Sequence, residues 1–109
     1  MKIGVIKETQ KGEKRVAISP NISKLLIEKG FELLVEEDAG LASSYKNSDY
    51  ESAGAKIVSR ETLFNESTVL IKINPFDEDD LKLVNNTQIL MSQLYYKSNA
   101  ELIKSIAAT

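Results

Sequence analysis

The sequence predicts an α/β domain built on a doubly wound parallel sheet of the flavodoxin or Rossmann kind. Three observations carry that expectation. Short apolar runs of strand composition alternate with helical segments along the whole chain. The helical segments open and close on capping residues. No internal repeat and no low-complexity stretch interrupts the alternation. Strands that alternate with helices pair in parallel, because each crossover helix must cover one face of the sheet.

Ile3, Val5 and Ile6, with Gly4 among them, form a first apolar run too short for a helix. Gln10 to Lys14 has no apolar period and reads as loop. Ser19-Pro20 opens a helix, since the serine can accept an orphan N–H and the proline presets the helical dihedral. Ile22, Leu25 and Leu26 form its stripe, with Ile27 to one side, and Gly30 stops it. Leu33 to Val35 is the second strand, and Asp38-Ala39-Gly40 is a turn. Leu41 to Asn47 reads as loop. Ser48 to Glu51 fits a capping box for a helix of about two turns closed by Gly54.

Ala55 to Val58 is the third strand, and Ser59 with Thr62 opens a brief helix that carries Leu63 and Phe64 inward. Thr68 to Ile73 is the strongest strand signal, interrupted only by Lys72 and ended by Pro75. The acids Asp77 to Asp80 suit a helix N-terminus before Leu81, Leu83 and Val84. Ile89, Leu90, Met91 and Leu94 make the fifth strand. Ser98 to Glu101 is a second capping box, leading into Leu102, Ile103, Ile106 and Ala107.

Composition excludes several functions. The chain has 109 residues, enough for one modest core, with 42% hydrophobic and 28% charged residues. A net charge of −2 and the lack of a basic stripe with interleaved aromatics argue against nucleic acid. No apolar run reaches the roughly 18 residues of a membrane span, and no secretory signal opens the chain, so a cytoplasmic protein without direct membrane insertion is expected. With neither Cys nor His, thiol nucleophiles, Ser-His-Asp chemistry and imidazole or thiolate metal sites are excluded. No metal is expected.

Ligands of wound sheets bind beyond the carboxyl ends of the strands. Here those residues are Lys7 and Glu8, Glu36 to Asp38, Asn74, and Tyr95 to Lys97. Arg15 offers a planar fork to a carboxylate or phosphate beside that edge; the alternative is an ion pair with Glu8 or Glu13. Lys72 reads as a strand lysine snorkelling from a partly covered face. Asn74 fits a turn before proline or a ligand contact. Asp77 to Asp80 could hold a hard cation, but consecutive acids on one turn diverge, so a solvated helix start is the expectation. Tyr95 and Tyr96 can stack on a base or cover a sheet end. The five glycines are scattered, and none lies in a G-x-G-x-x-G that opens a helix.

The opening, with Lys7, Glu8, Arg15, Val16, Ala17, Ser19 and Pro20, closely resembles that of the alanine dehydrogenase and proton-translocating NAD(P) transhydrogenase alpha-subunit family. The likeness continues through Glu36 to Gly40, Ala53 to Val58, Leu70 to Pro75 and Asn99 to Leu102. It implies that residues 1–109 are an incomplete N-terminal domain of a two-domain subunit, with the NAD-binding Rossmann domain outside this chain. In alanine dehydrogenase the arginine of the motif holds the substrate carboxylate, a lysine follows two residues after a first lysine, and a catalytic histidine lies past the next strand. Lys72 matches the first lysine, whereas Asn74 and Tyr95 stand in the other two positions. An amide supplies no cation, and a phenol of pKa about 10 is a poor base near neutrality.

Lys72-Ile73-Asn74 matches instead the K-V-N-x-P form of transhydrogenase alpha subunits, with Pro75 one position early. The resemblance therefore implies the first part of such a subunit, whose parent complex passes hydride between NADH and NADP+ coupled to proton translocation. It implies NAD(H) on the parent subunit, NADP(H) on a partner component, and no cofactor on this segment alone. It also implies a homodimer and membrane subunits that hold the complex at the inner face of the cell membrane. Arg15, Lys72, Asn74 and Tyr95 are the expected cleft residues, none of them catalytic. The isolated chain is expected to be inactive. Two alternatives stand: an alanine dehydrogenase-like NAD-dependent amino-acid or keto-acid dehydrogenase domain, and a stand-alone flavodoxin-like module that binds a protein.

Overall fold

A computed structural model of the chain describes residues 1–92 and 98–108. β1 (Lys2–Val5), β2 (Glu32–Glu36), β3 (Lys56–Val58), β4 (Val69–Lys72) and β5 (Ile89–Ser92) form one sheet in the order β3-β2-β1-β4-β5. Every neighbouring pair is parallel. The expected wound sheet is present, with the strand order of the Rossmann type. The winding reverses between β1 and β4, where Val5 lies opposite Ile71.

Side chains alternate across a strand, so the central strands β1, β2 and β4 serve two cores. Ile3, Val5, Leu33, Val35, Val69 and Ile71 face a layer completed by Leu26 of α1 (Pro20–Glu28), Tyr50 of α2 (Asn47–Ser52), and Leu102 and Ile106 of α5 (Asn99–Ala108). Ile6, Leu34 and Leu70 face Leu63 and Phe64 of α3 (Arg60–Glu66), with Val84, just beyond α4 (Glu78–Leu83), against the same cluster. Burial on both sides explains why the strands read as continuous apolar runs. Leu26, Leu63 and Leu102 are fully enclosed, each contributing about 1.5–3 kcal/mol by removal from water.

Local chemistry fixes the helix ends. Ser19 Oγ accepts the Ile22 N–H, and Gly30, at φ +99°, takes the left-handed turn after α1. Ser59 and Ser98 cap their helices through the N–H groups of Thr62 and Glu101. The expected box at Ser48 does not form. The cap falls two residues earlier, at Lys46 with the helix starting at Asn47, and Asp49 Oδ2 accepts the Lys46 N–H at 2.8 Å. An aspartate three residues past the cap reaches back as well as glutamate does, so Asp49 displaces Glu51 from that task. The segment read as loop from Leu41 contains a short 3₁₀ turn over Leu41–Ser43.

Candidate functional site

The carboxyl edge of the sheet carries two polar clusters, one on each side of the β1/β4 reversal. The first is built on Glu8, just beyond β1. Its Oε2 accepts the Ile73 N–H at 2.8 Å, and its Oε1 accepts the Asn74 N–H at 3.2 Å and Asn74 Nδ2 at 3.1 Å. β4 ends at Lys72, so these N–H groups have no ladder partner. A carboxylate supplies the acceptors that the sheet no longer does.

Asn74 Nδ2 also donates to Glu13 Oε1 at 2.9 Å. Glu13 in turn grips Arg15 along one edge of its fork: Nη2 donates to Oε1 at 2.9 Å and Nε to Oε2 at 3.0 Å, while the Arg15 backbone N–H reaches the same Oε2 at 3.0 Å. The Arg15 hydrogen bonds, with the Asn74 amide assisting them, hold the Glu13 carboxyl down at about 2. The pairing raises Arg15 in return. Only 9% of the Glu13 side chain is exposed against 62% of Arg15's. The carboxylate is thus the fixed member and the guanidinium the presented one.

The second cluster lies on the α3/α4 side. Glu36, at the end of β2, accepts the Lys7 N–H at 3.0 Å and Arg60 Nη1 at 3.3 Å. Arg60 Nη2 also pairs with Asp80, and Asp80 Oδ2 takes Lys72 Nζ at 2.9 Å. Asp80 is reciprocally boxed with Asp77, each accepting the other's backbone N–H. Burial alone would raise the Asp80 carboxyl, but hydrogen bonds from Lys72, Asp77 and Arg60 outweigh it and lower it. Arg60 also lies 4.8 Å above the Phe64 ring centroid.

These contacts correct two expectations. Lys72 does not snorkel: its side chain is 4% exposed and its ammonium is bound to Asp80. The acids of α4 are not uniformly solvated either, since Asp80 is buried among two cations. Strand parity alone, with Lys72 alternating with Ile71 and Ile73, places the lysine on the α3/α4 face. Nothing in the spacing announces that the fourth acid of Asp77-Glu78-Asp79-Asp80 turns inward to meet it.

Of the expected cleft residues, Arg15 and Asn74 are brought together through Glu13, whereas Lys72 engages a separate set of partners. Tyr95 lies outside the described residues, as do Tyr96 and Lys97. The clasp made by Glu8 was not legible as such, although its position just past β1 marked it as an edge residue. Among the described residues no group of acids, histidines or cysteines has the arrangement of a metal site, and no helix is long and apolar enough to cross a membrane.

Comparison with known proteins agrees with this fold. Residues 4–109 match the family model described as "Alanine dehydrogenase/PNT, N-terminal domain". The chain is 36% identical over 106 residues to an alanine dehydrogenase of Staphylococcus haemolyticus, covering 97% of this chain and 28% of that protein. It is 33% identical to alanine dehydrogenase 1 of Staphylococcus aureus over the same length. Among solved structures it superposes on an L-alanine dehydrogenase with a TM-score of 0.80 and 30% identity, covering 84% of this chain and 26% of that one. It also superposes on a transhydrogenase from Sinorhizobium meliloti with a TM-score of 0.81 and 26% identity, covering 98% and 32%. The chain thus spans less than a third of the length of these relatives.

Proposed function

Because this chain belongs to the alanine dehydrogenase/PNT N-terminal domain family, we propose that it is the first part of a nucleotide-binding subunit of the transhydrogenase alpha type. In this reading the parent passes hydride from NADH to NADP+, coupled to proton translocation. The segment walls one side of the NAD(H) cleft and supports a homodimer. A partner component holds NADP(H), and membrane subunits keep the complex at the inner face of the cell membrane.

One observation supports this reading above the others: neither position 72 nor position 74 offers an available ammonium. Lys72 is neutralised by Asp80, and position 74 is an amide spent on two carboxylates. A keto acid needs a cation beside its carbonyl and a proton donor of suitable pKa. The described residues at this edge place no free lysine at position 72 or 74 and include no histidine to serve as that donor. They also present no glycine-rich turn at a helix start to cradle a pyrophosphate. NAD(H) supplies hydride chemistry when bound, and the side chains of this segment that would border it are Glu8, Arg15 and Asn74. In this reading the described residues form a wall and supply no catalytic group.

The identities of 33–36% to alanine dehydrogenases favour a second reading, an amino-acid dehydrogenase domain in which Arg15 clamps a carboxylate. Assays of the full-length parent separate the two. Reduction of an NADP+ analogue by NADH is expected, with no NADH oxidation by pyruvate plus ammonia. The reverse pattern would establish the second reading.

A further inference from the structure

The first cluster forms an unbroken relay, Glu8 to Asn74 to Glu13 to Arg15, and its end is asymmetric. Glu13 receives four donors: Asn74 Nδ2 and Arg15 Nη2 at one oxygen, Arg15 Nε and the Arg15 backbone N–H at the other. Its acceptor capacity is filled. Arg15 spends only the Nε/Nη2 edge of its fork on Glu13, and Nη1 has no protein partner among the described residues. A guanidinium gripped on one edge keeps a second, coplanar pair of donors for an oxygen ligand.

We propose that Glu13 and Asn74 are positioning residues for Arg15: the relay fixes the guanidinium beside the β1/β4 reversal so that its remaining edge takes an oxyanion from the cleft. A carboxylate and a dinucleotide phosphate share that chemistry. The relay works by donor count. Asn74 can hold Glu13 next to Glu8 only because its amide donates to both, so two carboxylates sit close together without repulsion deciding their positions. An aspartate at position 74 removes both donors and adds a third negative charge. A lysine restores donors for both acids. The inference concerns the orientation of Arg15 and holds whichever hydride acceptor the parent uses.

Side-chain NMR of the 109-residue chain tests it, because the chain's other arginine, Arg60, is an internal reference held in the second cluster. The wild type should show a resolved, slowly exchanging Arg15 Nε–H. Pyruvate or inorganic phosphate should shift that signal, and the better of the two probes identifies the oxyanion source. Glu13→Gln and Asn74→Asp should collapse the Arg15 signal into the solvent-averaged position and weaken probe binding by about tenfold, the loss expected when a charge-assisted contact is no longer prearranged. Asn74→Lys should keep both. The Arg60 signal should stay unchanged in every variant, which separates loss of positioning from loss of fold. An Arg15 signal indifferent to Asn74→Asp, a wild type that responds to neither probe, or tighter probe binding in Glu13→Gln would overturn the proposal. The last outcome would make Glu13 a competitor for Arg15.

Discussion

Glu8 and Asn74 are tied across the point where the sheet reverses, the carboxylate of one accepting both the backbone N–H and the side-chain amide of the other. The residues stand 66 positions apart in sequence, yet they join the loop after β1 to the chain leaving β4. The cleft edge is therefore braced by one acid. Glu8→Ala should cost roughly 1–3 kcal/mol of stability, because the Ile73 and Asn74 N–H groups lose a charged acceptor. Urea denaturation checks this against Glu37→Ala, an exposed acid nearby, whose change should stay within about 0.5 kcal/mol.

The second cluster should respond asymmetrically. Asp80→Ala leaves both Lys72 and Arg60 without their shared carboxylate, and a loss of roughly 3–5 kcal/mol is expected. Lys72→Met should cost less, because Arg60 still neutralises Asp80. Equal losses in denaturant titrations would show that Arg60 contributes nothing to the cluster.

The sheet was legible because its evidence is local. The central strands β1, β2 and β4 are buried on both faces, and Ser19, Ser59, Ser98, Gly30 and Gly54 mark helix ends within a few residues of the helices they bound. The clusters were not legible for the opposite reason. Asp80 meets Arg60 and Lys72 only after α3, β4 and α4 have packed, and the same four acids would suit a wholly solvated helix start. Arg15 pairing with Glu13 was one of the alternatives open from the sequence, because the two lie two residues apart. The bridge from Glu13 to Asn74 depends on the β1 and β4 register and could not be foreseen. The Ser48 box failed on a competition between Asp49 and Glu51 that spacing does not decide.

Gly4 and Ser67 set a packing limit inside β1. A Cβ on Gly4 would lie 2.1 Å from Ser67 Oγ and 3.0 Å from Leu70 Cδ2. Gly4→Ala should destabilise the domain by about 1–3 kcal/mol. Ser67 Oγ is itself buried without a hydrogen-bond partner among the described residues, so Ser67→Ala should be neutral or stabilising. Thermal unfolding of both single variants and the double variant checks this, since the alanine at 67 should recover part of the Gly4→Ala loss.

Acid should release Glu13. Its folded value of about 2 lies below the ordinary 4.5, so its contribution is complete above the ordinary value and disappears as pH falls from there toward the folded one. The stability difference between wild type and Glu13→Gln should be constant above about pH 5.5 and shrink toward zero near about pH 2. Denaturant titrations across that range measure it, and a difference that does not change with pH would remove the Arg15 contact as its source.

The central claim is that the edge between β1 and β4 faces the nucleotide. Hydrogen exchange of the full-length parent with and without NADH tests it most directly. The account predicts slowed exchange over residues 7–15 and 73–76, where Glu8, Glu13, Arg15 and Asn74 gather. Protection confined to the opposite end of the sheet, around the cavity lined by Phe31, Gly54 and Lys56, with residues 7–15 unchanged, would contradict it.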